Sequence, residues 1–128
     1  MKQKNTDIGN WGEEQAVQYL KTRDYSIEEQ NFSCRRGEID IIAYKQDELY
    51  GRVLCFIEVK TRSTKQNGSA ERAVDIRKLT HMKRAAIEYC QQKHVDSEQQ
   101  HISFEQVSVY KQKDEQSPHI QWYQILSF

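Results

Sequence analysis

Two short runs constrain this chain more than any other feature: residues 38–45 (Glu-Ile-Asp-Ile-Ile-Ala-Tyr-Lys) and 52–60 (Arg-Val-Leu-Cys-Phe-Ile-Glu-Val-Lys). They are rich in Ile, Val and Phe, which suit the pleated, half-buried surface of a strand. Side chains alternate across a strand, so Val53, Cys55, Ile57 and Val59 point one way, and Leu54, Phe56, Glu58 and Lys60 the other. Both sets are largely apolar, so this strand must lie inside a sheet covered on both faces. A turn within Lys45–Gly51, centred on Leu49, makes the two runs a hairpin in which Tyr44 faces Leu54, Ile42 faces Phe56 and Asp40 faces Glu58.

The covering layers are also legible. A helix is expected from near Asp7–Asn10 to just before Tyr25, with Ala16, Val17 and Leu20 as its apolar stripe. Residues 25–34 read as an edge strand, and the polar stretch 61–69 as a flexible loop. A second helix over about 70–93 carries Ile76, Leu79, Met82, the apolar stem of Lys83, Ala86 and Cys90. Strands near 102–110 and 119–126 close the chain. The order α-β-β-β-α-β-β predicts an α/β (α+β) fold, a mixed sheet with helices packed on it. Neither a repeat nor a linker divides the 128 residues, so 1–128 reads as a single domain. No apolar run approaches the roughly 20 residues of a membrane span, and no apolar stretch follows the N-terminus. Cys34, Cys55 and Cys90 are odd in number and widely spaced, as expected of reduced thiols in a cytoplasmic protein.

Nineteen basic and nineteen acidic side chains cancel overall, but not locally. Between Lys60 and Arg84, eight basic residues oppose only Glu71 and Asp75, so this stretch carries +6 and the remainder −6. Arg62, Lys65, Arg72, Arg77, Lys78 and Arg84 could thus line the path of a polyanion such as nucleic acid. A merely solvated helix face is the alternative.

The chemistry is carried by acids set among apolar residues. Asp40 is flanked by Ile39, Ile41 and Ile42, and Glu58 by Ile57 and Val59. Charged groups enter such runs when they are paired or bound to a metal. Opposed carboxylates repel, and a hard divalent cation, Mg²⁺ or Mn²⁺, offsets that repulsion with oxygen ligands. The Val59 carbonyl is a further candidate ligand. Lys60, two residues beyond Glu58, shares its face and could orient or help deprotonate an attacking water, or neutralise a phosphate. Pairing of either acid with Lys60 or Arg62 is the alternative. Glu38 has the parity of Asp40 and would add a ligand or pair with Arg35 or Arg36. Glu13 lies on the core-facing side of the first helix, where a first-turn acid also suits the helix dipole. His81, His94, His101 and His119 show no metal spacing, and Trp11, Trp122 and Tyr123 read as packing residues.

Gly9-Asn-Trp-Gly-Glu13, Asn31-Phe32, Gly37-Glu-Ile-Asp40 and Phe56-Ile-Glu58-Val-Lys60-Thr-Arg62 resemble the bacterial YraN-like family, as do Val74, Lys78, Leu79, Ala86 and Tyr89. The resemblance spans about residues 9–110. It implies a restriction-endonuclease-like core similar to Holliday-junction resolvases, a metal-dependent nuclease acting on DNA, branched DNA included, and a homodimer for which no interface is legible. Its implied acids are Glu13, Asp40 and Glu58, with Lys60. One departure is the late strand, where the family has Arg-Phe-Asp and this chain has Ser103-Phe104-Glu105, which leaves the role of Glu105 open.

Overall fold

A computed structural model describes residues 7–62, 76–111 and 117–128. The elements follow the predicted order: α1 (Asp7–Thr22), β1 (Ser26–Cys34), β2 (Gly37–Asp47), β3 (Gly51–Arg62), α2 (Ile76–Gln92), β4 (His101–Tyr110) and β5 (His119–Ser127). The sheet runs β1-β2-β3-β4-β5, so the most apolar strand, β3, is central and β1 is an edge. All neighbours are antiparallel except β3 and β4, which are parallel and joined through α2. A parallel pair needs such a crossover, because a tight turn can only reverse the chain.

The hairpin has the expected register, with Ile42 opposite Phe56, Tyr44 opposite Leu54 and Asp47 opposite Gly51. Asp47 Oδ1 closes the turn by accepting the N–H groups of Leu49 (2.8 Å) and Tyr50 (3.1 Å). These bonds hold the Asp47 carboxyl below its ordinary pKa. Gly51 follows at φ 72°, a backbone angle that costs glycine nothing.

Each face has its own core. On one, Ala16, Val17 and Leu20 of α1 cover Ile41, Ala43, Val53, Cys55, Ile57, Val59, Val107 and Val109. On the other, Met82, Ala85, Ala86, Tyr89 and Cys90 of α2 cover Ile39, Ile42, Leu54, Phe56, Ile102 and Phe104. Tyr89 sets its ring edge against Phe32 and Phe56, with centroids 5.4 and 5.8 Å away. The α2 stripe differs from the expected one at its start. Ile76 is 79 % exposed and Lys83 is exposed, and the buried side chains of α2 are instead Met82, Ala85, Ala86, Tyr89 and Cys90. Of the loop expected at 61–69, Thr61 and Arg62 instead extend β3, whose pairing with β4 runs to Arg62 and Tyr110; 63–69 and the helix start at 70–75 lie outside the described residues. Among those residues no helix is long and apolar enough to cross a membrane.

Glu105, whose role the sequence leaves open, is a structural hub. It is fully buried. Its Oε1 accepts hydrogen bonds from the Tyr25 hydroxyl (2.8 Å) and Trp122 Nε1 (2.9 Å). Its Oε2 accepts them from Lys45 Nζ (2.7 Å) and Ser103 Oγ (2.7 Å). One carboxylate thereby ties the chain after α1 to β2, β4 and β5. Burial first, and the Glu105 charge second, push the Tyr25 hydroxyl and the Cys55 thiol well above their ordinary pKa values.

Breaking a buried charged pair from one side costs about 3–5 kcal/mol. Glu105→Ala is expected to lower unfolding free energy by that order in urea titrations. A midpoint unchanged from the parent chain would show that the hub is dispensable.

Candidate active site

The site begins with a fault in the sheet. Strict alternation would send Ile39 and Ile41 to the same face. Instead Ile39 packs in the α2-side cluster and Ile41 in the α1-side cluster, so the alternation breaks at Asp40. On β1, Asn31 falls between the pairs Gln30–Ile41 and Phe32–Ile39, which puts it across from Asp40. Asn31 has φ 55°, in the left-handed region that asparagine tolerates better than most residues. The two irregularities share one rung.

At that rung Asp40 turns its carboxylate towards β3. Its Oδ2 accepts the backbone N–H of Val59 at 2.8 Å, and the residue is 1 % exposed. An acceptor from the neighbouring strand's side chain lies near the plane of the sheet, not on a face. The pairs between β2 and β3 accordingly run from Ile41–Ile57 to Asp47–Gly51. The recorded pairing thus stops one rung short of Asp40 and Glu58, and the Asp40 carboxylate bonds to the residue after Glu58. Parity also cannot be counted from Asp40 back to Glu38, which pairs with Ser33 of β1.

Glu58 projects to the α2 side, as alternation from Phe56 requires. It is 9 % exposed, and its Oε1 lies 2.6 Å from Lys78 Nζ on α2. Lys60 is two residues on and half-buried. The parallel strand β4 sets Phe104 beside Phe56, then Gln106 beside Glu58 and Ser108 beside Lys60. The α2 face of the sheet therefore changes from apolar to polar within one rung. Gln106 and Ser108 are buried and joined by a 3.0 Å hydrogen bond. The sequence reading missed both, although the pattern Gln106-Val107-Ser108 inside a buried strand was the available signal.

Glu13 is buried on α1. A Cβ on the preceding Gly12 would run into Thr61 Oγ1, so α1 lies directly on the end of β3. Glu13 thus comes to the Val59–Thr61 end of the strand from the face opposite Glu58, with Asp40 at the break between the faces. Of the predicted phosphate contacts, Arg62, Arg77 and Arg84 are exposed. Arg77, His81 and Arg84 share one stripe of α2 at helical spacing. Lys78 faces inward to Glu58 instead, and Lys65 and Arg72 lie outside the described residues. Trp11 and Trp122 serve packing: Trp11 lies against the α1-side core and Trp122 on Glu105.

A carboxylate carries two oxygens with several lone pairs, which is the donor chemistry of a hard-cation ligand. The oxygen set of Asp40, Glu58 and the Val59 carbonyl therefore fits Mg²⁺ or Mn²⁺ completed by water. Among the described residues no three His, Cys, Asp or Glu side chains come together as a metal-holding group.

A family profile described as "Uncharacterised protein family UPF0102" matches residues 12–109. Among similar proteins, a UPF0102 protein of Syntrophomonas wolfei is 46% identical over 85 residues, which is 66% of this chain and 70% of that one. Another from Flavobacterium psychrophilum is 36% identical over 111 residues, 87% of each chain. A third, from Acetivibrio thermocellus, is 41% identical over 106 residues, 82% of this chain and 76% of the relative.

A residue held in the left-handed region costs on the order of 1–3 kcal/mol when it is branched. Asn31→Gly is expected to leave the melting temperature nearly unchanged, and Asn31→Val to lower stability by about that amount in a thermal melt. Equal effects of the two would show that the Asn31 backbone is not under constraint.

Proposed function

The chain belongs to the uncharacterised protein family UPF0102, and we propose that it is a divalent-cation-dependent nuclease that hydrolyses phosphodiester bonds in DNA, branched DNA included. The observation that carries this reading is the meeting of two buried carboxylates on one three-residue stretch of β3: Asp40 at the Val59 N–H and Glu58 beside it. Buried acids cost free energy unless something compensates them, and here they stand next to an exposed cationic helix stripe.

In this reading Asp40, Glu58 and the Val59 carbonyl hold Mg²⁺ or Mn²⁺. The bound ion would supply Lewis-acid stabilisation of the charge that builds on the phosphate. Lys60 orients the attacking water, helps remove its proton, or neutralises the phosphate. Glu13, fixed by the Gly12–Thr61 contact, positions the end of β3. Arg62, Arg77 and Arg84 guide the DNA backbone, with Lys65 and Arg72 of the basic segment. Action in the cytoplasm and as a homodimer belongs to the same reading.

The test offers single-stranded, duplex and four-way-junction DNA with Mg²⁺ or Mn²⁺. Cleavage is expected, and Asp40→Ala and Glu58→Ala should each abolish it. Joint substitution Arg77→Gln and Arg84→Gln should reduce the slope of log affinity against log salt by about 2. Salt-sensitive binding without cleavage would make the chain a nucleic-acid-binding module. Neither binding nor cleavage would leave a structural or partner-binding domain.

A further inference from the structure

Lys78 does not behave as a phosphate-facing surface residue. It sits in the basic segment, next to Arg77 and three residues before His81, yet its ammonium is turned into the sheet and lies 2.6 Å from Glu58 Oε1. Its side chain is 37 % exposed and that of Glu58 only 12 %. The lysine therefore has a solvent-side route out of the pair, whereas the carboxylate is largely enclosed. Lys60, on the same face and two residues along β3, is a second cation close to the same acid.

Resting on the nuclease reading above, we infer that Lys78 is an internal counterion that occupies the charge position of the divalent cation and is exchanged for it. A carboxylate that already holds an ammonium at hydrogen-bond distance binds a doubly charged ion less well, because the two positive charges repel across one small group. Loading the ion favours the departure of Lys78. Its side chain is 37 % exposed, so its flexible stem can swing outward towards the exposed stripe of Arg77, His81 and Arg84 on α2. A polyanion on that stripe attracts the released ammonium and so favours the same exchange. Ion and DNA then strengthen each other's binding, and by linkage the effect is equal in both directions. Without DNA, the protein keeps its own positive charge in the site and loads the ion weakly. Lys78 is thus a positioning residue that couples substrate to metal, distinct from the water-directed role of Lys60.

The test measures Mn²⁺ affinity of the full chain by electron paramagnetic resonance, with and without a short phosphorothioate duplex that resists cleavage. Asp40→Ala serves as the baseline for ion bound elsewhere. The parent chain is expected to bind Mn²⁺ weakly and several-fold more tightly with the duplex. Lys78→Met should bind it about tenfold more tightly without DNA, a change of about 1.4 kcal/mol, and gain little more when DNA is added. Lys78→Arg keeps the charge and should behave as the parent, and Lys78→Gln replaces the Met variant if that fails to fold. Asp40-dependent Mn²⁺ binding that is unchanged or weaker in Lys78→Met would overturn the exchange while leaving the nuclease reading intact. No Asp40-dependent binding in any of these chains would overturn both.

Discussion

The bond from the Val59 N–H to the Asp40 carboxylate, 2.8 Å long, is the contact on which the arrangement depends. A backbone donor inside a sheet normally meets a backbone acceptor, and a buried donor left unmet is costly. Here a side chain takes that part, at the point where β2 changes face and Asn31 of β1 turns left-handed. The break lets one end of the hairpin carry acids while the other end stays an ordinary apolar ladder. The change of face and the position of the carboxylate have a single local cause.

The same sheet contains a third buried acid, with different surroundings from the first two. Glu105 has two donors on each oxygen, from Tyr25, Trp122, Lys45 and Ser103. A carboxylate satisfied in this way has no capacity left for a ligand, and its value is structural. Among the described residues Glu58 has one charged partner, a lysine with a path to solvent. Similar burial therefore accompanies two different sets of partners: four donors on Glu105, and one partly exposed lysine on Glu58.

Much of this was legible in the sequence because it follows from periodicity and apolar patterning. The order of elements, the central place of β3 and the hairpin register rest on alternation in 38–45 and 52–60, and the two-sided cover follows from their apolar faces. Counting alternation failed only where the strand does not alternate: no pattern in Glu38-Ile39-Asp40-Ile41 announces a change of face, which requires the backbone of Asn31 on another strand. The helical period places Ile76 in the buried stripe because it cannot tell where the apolar surface beneath the helix ends. The inward turn of Lys78 was hidden for a related reason, since charge in a basic run looks alike whether it meets solvent or a carboxylate. Glu105 was unreadable because its four partners come from four separate segments.

The central claim is that Asp40 and Glu58 share one ion across the end of β3. Its most direct test is anomalous scattering from crystals soaked in Mn²⁺. The account expects a peak at oxygen-ligand distance, about 2.0–2.3 Å, from both carboxylates, with Lys78 withdrawn from Glu58. A peak at neither acid, with the Lys78–Glu58 pair still closed at saturating Mn²⁺, would contradict it.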